Sequence, residues 1–200
     1  MSKRHSEQLR IRIAQEAARV LASEGGRDYL AAKRKAAMRL GIDPQAGMPT
    51  NREVEQELMM HQRLFEGDDH ERLLGNLRAA ALEAMRMLSQ FQPRLTGSVL
   101  RGTAASHSDV NLHLFADSPK DVALFLIERQ IPHESGDKRF RFGKEVSYFP
   151  VIRLLAGEVP FELAIFPLEG IRQAPLSVVD GKPMQRVGLK QLEEMLADYA

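Results

Sequence analysis

The chain has 200 residues, 44 % hydrophobic and 28 % charged, the proportions of a folded globular protein with room for one large or two small domains. It contains no cysteine, which excludes disulfides and thiolate metal sites, and no run approaches the roughly 20 apolar residues of a membrane span. Met1-Ser2-Lys3-Arg4 leads into a charged helical segment rather than a signal-peptide core, so a cytoplasmic location without a membrane partner is expected. The net charge of +1 hides an asymmetry: residues 1–42 carry ten Lys/Arg against four Asp/Glu, whereas residues 91–200 carry thirteen against fourteen.

Residues 1–92 read as a helical N-terminal domain. Ile13, Ala17, Val20, Leu21 and Glu24 follow helix spacing, and the Gly25-Gly26 pair ends that helix. Asp28 can cap a second helix with Leu30, Ala31, Ala36, Ala37 and Leu40 inside, stopping at Gly41. Pro44, Gly47 and Pro49 mark a loop. Thr50 and Glu53 form a capping box before an apolar stripe of Val54, Leu58, His61 and Phe65. A fourth helix starts near Asp68 or Asp69 and runs through Leu73, Leu77, Leu82, Met85 and Leu88 until Pro93 prevents its continuation. Met59, Met60, Met85 and Met87 are expected to fill gaps in the core. The basic run Lys33-Arg34-Lys35 is a candidate nucleic-acid contact or a solvated helix face.

After Pro93 the period changes from helical to alternating. Val110, Leu112 and Leu114 alternate with Asp109, Asn111 and His113, the pattern of a half-buried strand. A helix over 119–130, with Val122, Leu124, Phe125 and Leu126 inside, precedes strands over 139–142, 146–155 and 159–166. Leu189 to Tyr199 forms an amphipathic last helix. The fold class is therefore α+β, with an all-α region over 1–92 and a mixed α+β domain over 93–200.

One stretch carries chemistry: Leu95-Thr96-Gly97-Ser98-Val99-Leu100-Arg101-Gly102 followed by Ser108-Asp109-Val110-Asn111-Leu112. It resembles the signature of the polymerase-beta-type nucleotidyltransferase superfamily, in which an apolar strand leads to Gly-Ser, often Arg-Gly, then Ser-Asp-x-Asp-Leu on the next strand. Gly97, Ser98, Arg101, Gly102, Ser108, Asp109 and Leu112 match at the customary spacing. The resemblance covers roughly residues 93–167 and implies a mixed sheet with flanking helices, as in small bacterial nucleotidyltransferase-like proteins.

The resemblance also implies roles. Gly97 lets the backbone approach a phosphate, Ser98 offers hydroxyl and amide to its oxygens, and Arg101 contacts the nucleotide. Carboxylates two residues apart on a strand share a face and hold Mg²⁺, which positions a nucleoside triphosphate for in-line displacement. A third carboxylate comes from a neighbouring strand, where Glu162 is the candidate as a charge inside Val159-Pro160-Phe161-Glu162-Leu163-Ala164-Ile165. This sequence departs from the pattern at Asn111, an amide where the family has Asp. The lost charge is worth about 4 kcal/mol of raw Coulomb interaction at about 4 Å and an effective dielectric of about 20. Two functions stay open. In one, Asp109, Asn111 and Glu162 hold Mg²⁺ and a nucleoside monophosphate passes to a hydroxyl on a protein, RNA or small molecule. In the other, a catalytically degenerate fold binds nucleotide or partner as a regulator. A homo-oligomer is compatible with either. His107 and His113 lie outside the signature and read as polar surface or polar core.

Overall fold

The computed structural model describes residues 3–24, 28–44 and 47–197. Met1, Ser2, the expected Gly25-Gly26 stop and the expected end of the last helix at Tyr199 lie outside them. The elements run α1 (Lys3–Glu24), α2 (Tyr29–Leu40), α3 (Asn51–Phe65), α4 (Gly67–Met87), β1 (Arg94–Thr96), α5 (Gly97–Arg101), β2 (Val110–Phe115), α6 (Pro119–Glu128), β3 (His133–Phe142), β4 (Glu145–Ala156), β5 (Val159–Phe166) and α7 (Leu189–Ala197). The chain divides into two compact units. One gathers the described residues up to Leu73 with Thr103–Ser108 and Val178–Asp180; the other holds Leu74–Gly102, Asp109–Ser177 and the rest of the described chain from Gly181. Among the described residues no helix is long and apolar enough to cross a membrane.

In the first unit α1, α2 and α3 share one core of Ile13, Ala17, Val20, Leu21, Ala36, Ala37, Val54 and Leu58. The helix ends are chemically specified. Asp28 accepts from the Ala31 amide at 2.9 Å, Gly41 closes α2 at φ 64°, and Thr50 and Glu53 complete the capping box. Two apolar faces differ from expectation. Leu30 is exposed and Ala32 is buried in its place, while α3 buries Val54, Glu55, Leu58 and Gln62 and leaves Phe65 74 % exposed. The stripe is rotated because Gln62 finds a buried partner, its Nε2 donating to the Ala104 carbonyl at 3.2 Å, and the Tyr29 hydroxyl donates to Glu55 at 3.3 Å. Met59, Met60 and Met87 are exposed; only Met85 of the four fills the core.

The basic run is largely engaged within this unit. Lys33 donates to the Pro49 carbonyl at 3.0 Å, and its burial pushes its pKa down. Lys35 pairs with Glu24, and Arg39 bridges Glu16 at 3.0 Å and Glu24 at 3.8 Å, whereas Arg34 is exposed.

The second unit is built on a five-stranded mixed sheet in the order β1-β2-β5-β4-β3, with β2 and β5 parallel and every other pair antiparallel. β2 is buried on both sides rather than on one, so His113, Leu114 and Phe115 are all inside. Helix α6 ends at Glu128 and turns Val122, Phe125 and Leu126 inward but Leu124 outward, 56 % exposed. β3 starts at His133, six residues before the expected strand. Its polar run His133–Lys138 has no apolar alternation to announce a strand; backbone pairing with β4 supplies the order instead.

One face of the sheet gathers Phe115, Phe140, Val151, Ala164 and Phe166 into a second core, with Phe142, Phe149 and Ile171 at its margin.

Candidate functional site

The strand registers line up one row of side chains across the sheet. Thr96 pairs with Asn111, Asn111 with Glu162, Glu162 with Arg153, and Arg153 with Glu134. Directly paired residues project to the same face, so the expected positions Asn111 and Glu162 are brought side by side on parallel neighbours. Asp109 lies just ahead of β2, two residues from Asn111. The parallel pairing of β2 and β5 places Glu162 on the central strand, where it is only 7 % exposed.

Gly97 opens α5 in the left-handed region at φ 82°, and a Cβ added there would lie 3.0 Å from Asn111 Nδ2 and 3.4 Å from Asn111 Cβ. Both the backbone angle and the contact demand glycine. The Asn111 amide nitrogen donates to the Asp109 carbonyl at 2.9 Å, which closes the turn into β2. Ser98 follows, its Oγ fully buried and without a hydrogen-bond partner among the described residues. Such an atom costs about 1–3 kcal/mol until an acceptor or donor reaches it. Arg101 ends α5, half-buried.

Several contacts outside the signature hold this corner. The buried Arg78 guanidinium donates to the carbonyls of Val99 at 3.2 Å and Leu100 at 3.4 Å. Thr96 Oγ1 donates to the Gln185 carbonyl at 2.8 Å, and Leu95 exchanges backbone hydrogen bonds with Val187 at 2.9 and 3.0 Å. A Gly97→Val variant is expected to lose about 1–3 kcal/mol of stability, the cost of a side chain held at this angle. Urea unfolding followed by circular dichroism measures it, and an unchanged midpoint would contradict the geometry.

Two residues not singled out from the sequence dominate the electrostatics. Lys138 from β3 pairs with one oxygen of Glu162, and Arg153 from β4 pairs with the other at 3.1 Å. Glu162 is nearly enclosed, whereas the Lys138 and Arg153 side chains are 38 % and 50 % exposed. Arg153 was legible by the rule that selects Glu162, since it too is a charge inside an apolar strand, Val151-Ile152-Arg153-Leu154-Leu155. Lys138 had no such signal. Counting Asp109 and Glu162 against Lys138 and Arg153, the corner is formally neutral, where three free carboxylates would carry three negative charges. Among the described residues no group of three or more His, Cys, Asp or Glu side chains is arranged to hold a metal ion.

His113 is two positions along β2 from Asn111 and 2 % exposed. Its ring packs 4.7 Å from Phe166 and edge-on to Phe140 at 5.8 Å, and Nδ1 has no partner among the described residues. Burial first, then the charges of Arg186 and Lys138, push its pKa down to about 3. It is a neutral core residue. His107 is exposed in the turn before Asp109.

No family model, curated protein or solved structure matches the chain.

Proposed function

We propose that the second unit is a nucleotidyltransferase-like domain that binds a nucleotide through its own cations and transfers nothing, a degenerate relative acting as a nucleotide-responsive regulator. The observation that carries this reading is the double pairing of Glu162 with Lys138 and Arg153, beside an amide at Asn111. Mg²⁺ at a nucleotide site is usually held by one or two protein carboxylates together with the substrate's phosphates. Here one candidate donor is neutral, and both oxygens of another already face cations. The donor set thus suits Mg²⁺ poorly. Lys138 and Arg153 supply positive charge where the metals of an active relative would supply it.

The remaining parts suit a phosphate. The buried Ser98 hydroxyl, without a partner among the described residues, is ready to bond an oxygen, and the Arg153 guanidinium offers a fork to oxyanions. A hydrogen bond to a charged group contributes about 1.5–3 kcal/mol, so each cation is worth about tenfold or more in affinity.

A second reading keeps the enzyme. The sequence keeps Gly97, Ser98 and Asp109, and Asn111 retains an oxygen able to meet Mg²⁺, so a nucleoside monophosphate would pass to a hydroxyl acceptor. Titration calorimetry with non-hydrolysable ATP and GTP analogues separates the two. The regulator reading expects binding in EDTA that weakens about tenfold in Lys138→Met and again in Arg153→Met. It also expects Asn111→Asp to weaken that binding, because the new carboxylate repels phosphate. Binding that requires Mg²⁺, vanishes in Asp109→Ala and tightens in Asn111→Asp would establish the enzyme reading instead.

A further inference from the structure

Beside the aromatic core the chain forms an open pocket of about 410 Å³, within the size range of small-molecule sites. Its walls are Phe142 at the end of β3, Arg172 and Gln173 after a 3-10 turn over Leu168–Ile171, and Leu176, Met184 and Arg186 from the segment before Val187. Hydrogen bonds fix that segment. The Ser177 amide donates to the Lys182 carbonyl at 2.7 Å, the Met184 amide to Pro175 at 2.8 Å, and the Leu176 amide to Arg141 on β3 at 2.7 Å.

The pocket's charge is one-sided. Arg186 is partly buried and donates to the carbonyls of Gly170 at 3.2 Å and Ile171 at 2.9 Å, with its guanidinium 5.4 Å above the Phe115 ring. Among the described residues no carboxylate forms an ion pair with Arg172 or Arg186. Burial, and after it the positive charge of Arg94 nearby, holds the Arg186 guanidinium's pKa below the usual arginine value. Carbonyl dipoles satisfy its N–H groups but do not neutralise it. The rest of the lining includes aromatic and aliphatic side chains, Phe142, Leu176 and Met184 among them.

We infer that this pocket binds a small organic anion, its oxyanion group held by Arg172 and Arg186 and its apolar body laid against Phe142, Leu176 and Met184. The site is independent of the nucleotide reading above, because neither Lys138 nor Arg153 lines it.

The test is a ¹H–¹⁵N NMR titration of the whole protein with phenyl phosphate and with benzoate, using benzyl alcohol as the neutral control. Saturable shifts at Phe142, Gln173, Leu176 and the Arg186 side chain are expected with at least one anion and not with the alcohol. The two anions distinguish a phosphate from a carboxylate ligand. Arg186→Gln is expected to abolish binding. Should that variant fail to fold, Arg172→Gln decides, since Arg172 is exposed and is expected to weaken binding about fivefold or more. The Arg153→Met variant, which leaves Glu162 paired with Lys138, is expected to bind as the wild type does. Absence of binding, equal binding of the alcohol, indifference to Arg172→Gln, or loss in folded Arg153→Met would each overturn the assignment. Arg153→Met also keeps this test apart from the nucleotide site, whose failure leaves the pocket untouched.

Discussion

Phe166→Ala is expected to destabilise the second unit by about 3–5 kcal/mol. Phe166 ends β5 at 2 % exposure and is the hub of the aromatic core. Its ring centroid lies 4.7 Å from Phe149, 4.7 Å from His113, 5.1 Å from Phe140, 6.1 Å from Phe115 and 6.5 Å from Phe142. Truncation removes the transfer energy of the ring, leaves a cavity that five neighbours cannot close together, and forfeits aromatic contacts worth about 0.5–1.5 kcal/mol each. Denaturant unfolding followed by circular dichroism reads the loss. Leu124→Ala is the control: its exposed side chain on α6 should cost less than about 0.5 kcal/mol. A cost for Phe166→Ala below about 1 kcal/mol would mean that the face is not packed as described.

The second large effect is an acid limb set by His113. Its folded pKa is lowered to about 3 from an unfolded value of 6.5, so between those values the unfolded chain binds the extra proton and the folded chain does not. Stability from this group is therefore fully present above about pH 6.5 and falls as the pH drops towards 3. At about 1.4 kcal/mol per pH unit the full span amounts to several kcal/mol. The cause is geometric. The ring is enclosed by Phe140 and Phe166, and the nearby charges, Arg186 and Lys138, are both positive, so protonation gains no partner. Urea unfolding at pH 4, 5, 6 and 7 should show the loss, and His113→Leu should flatten most of it. An equally steep acid limb in that variant would assign the effect to carboxylates instead.

His113 also marks the division between what could be read early and what could not. From the sequence it was a polar residue on a strand, suited to surface or core. Its neutrality depends on Phe140 and Phe166, 27 and 53 residues further along the chain, and on the register that brings them over it.

Local chemistry, by contrast, was legible. Asp28, Gly41, and Thr50 with Glu53 act within one helical turn, so their residue types alone specify where helices begin and end. The place of Asn111 on a strand was legible from the alternation of Val110, Leu112 and Leu114, whereas Asp109, expected on the same strand, lies one residue ahead of it. The faces of α2 and α3 were less secure. Small rotations exchange Leu30 for Ala32 and Phe65 for Gln62, and the choice depends on partners outside the helix, such as the Ala104 carbonyl.

The α+β class, the helix ends and the neutral amide at Asn111 follow from residue types and local pattern alone. The charge state of the corner does not, because Glu162, Arg153 and Lys138 come from three different strands. Their meeting depends on strand order and register, which follow from the packing of both sheet faces and are not encoded in any short window.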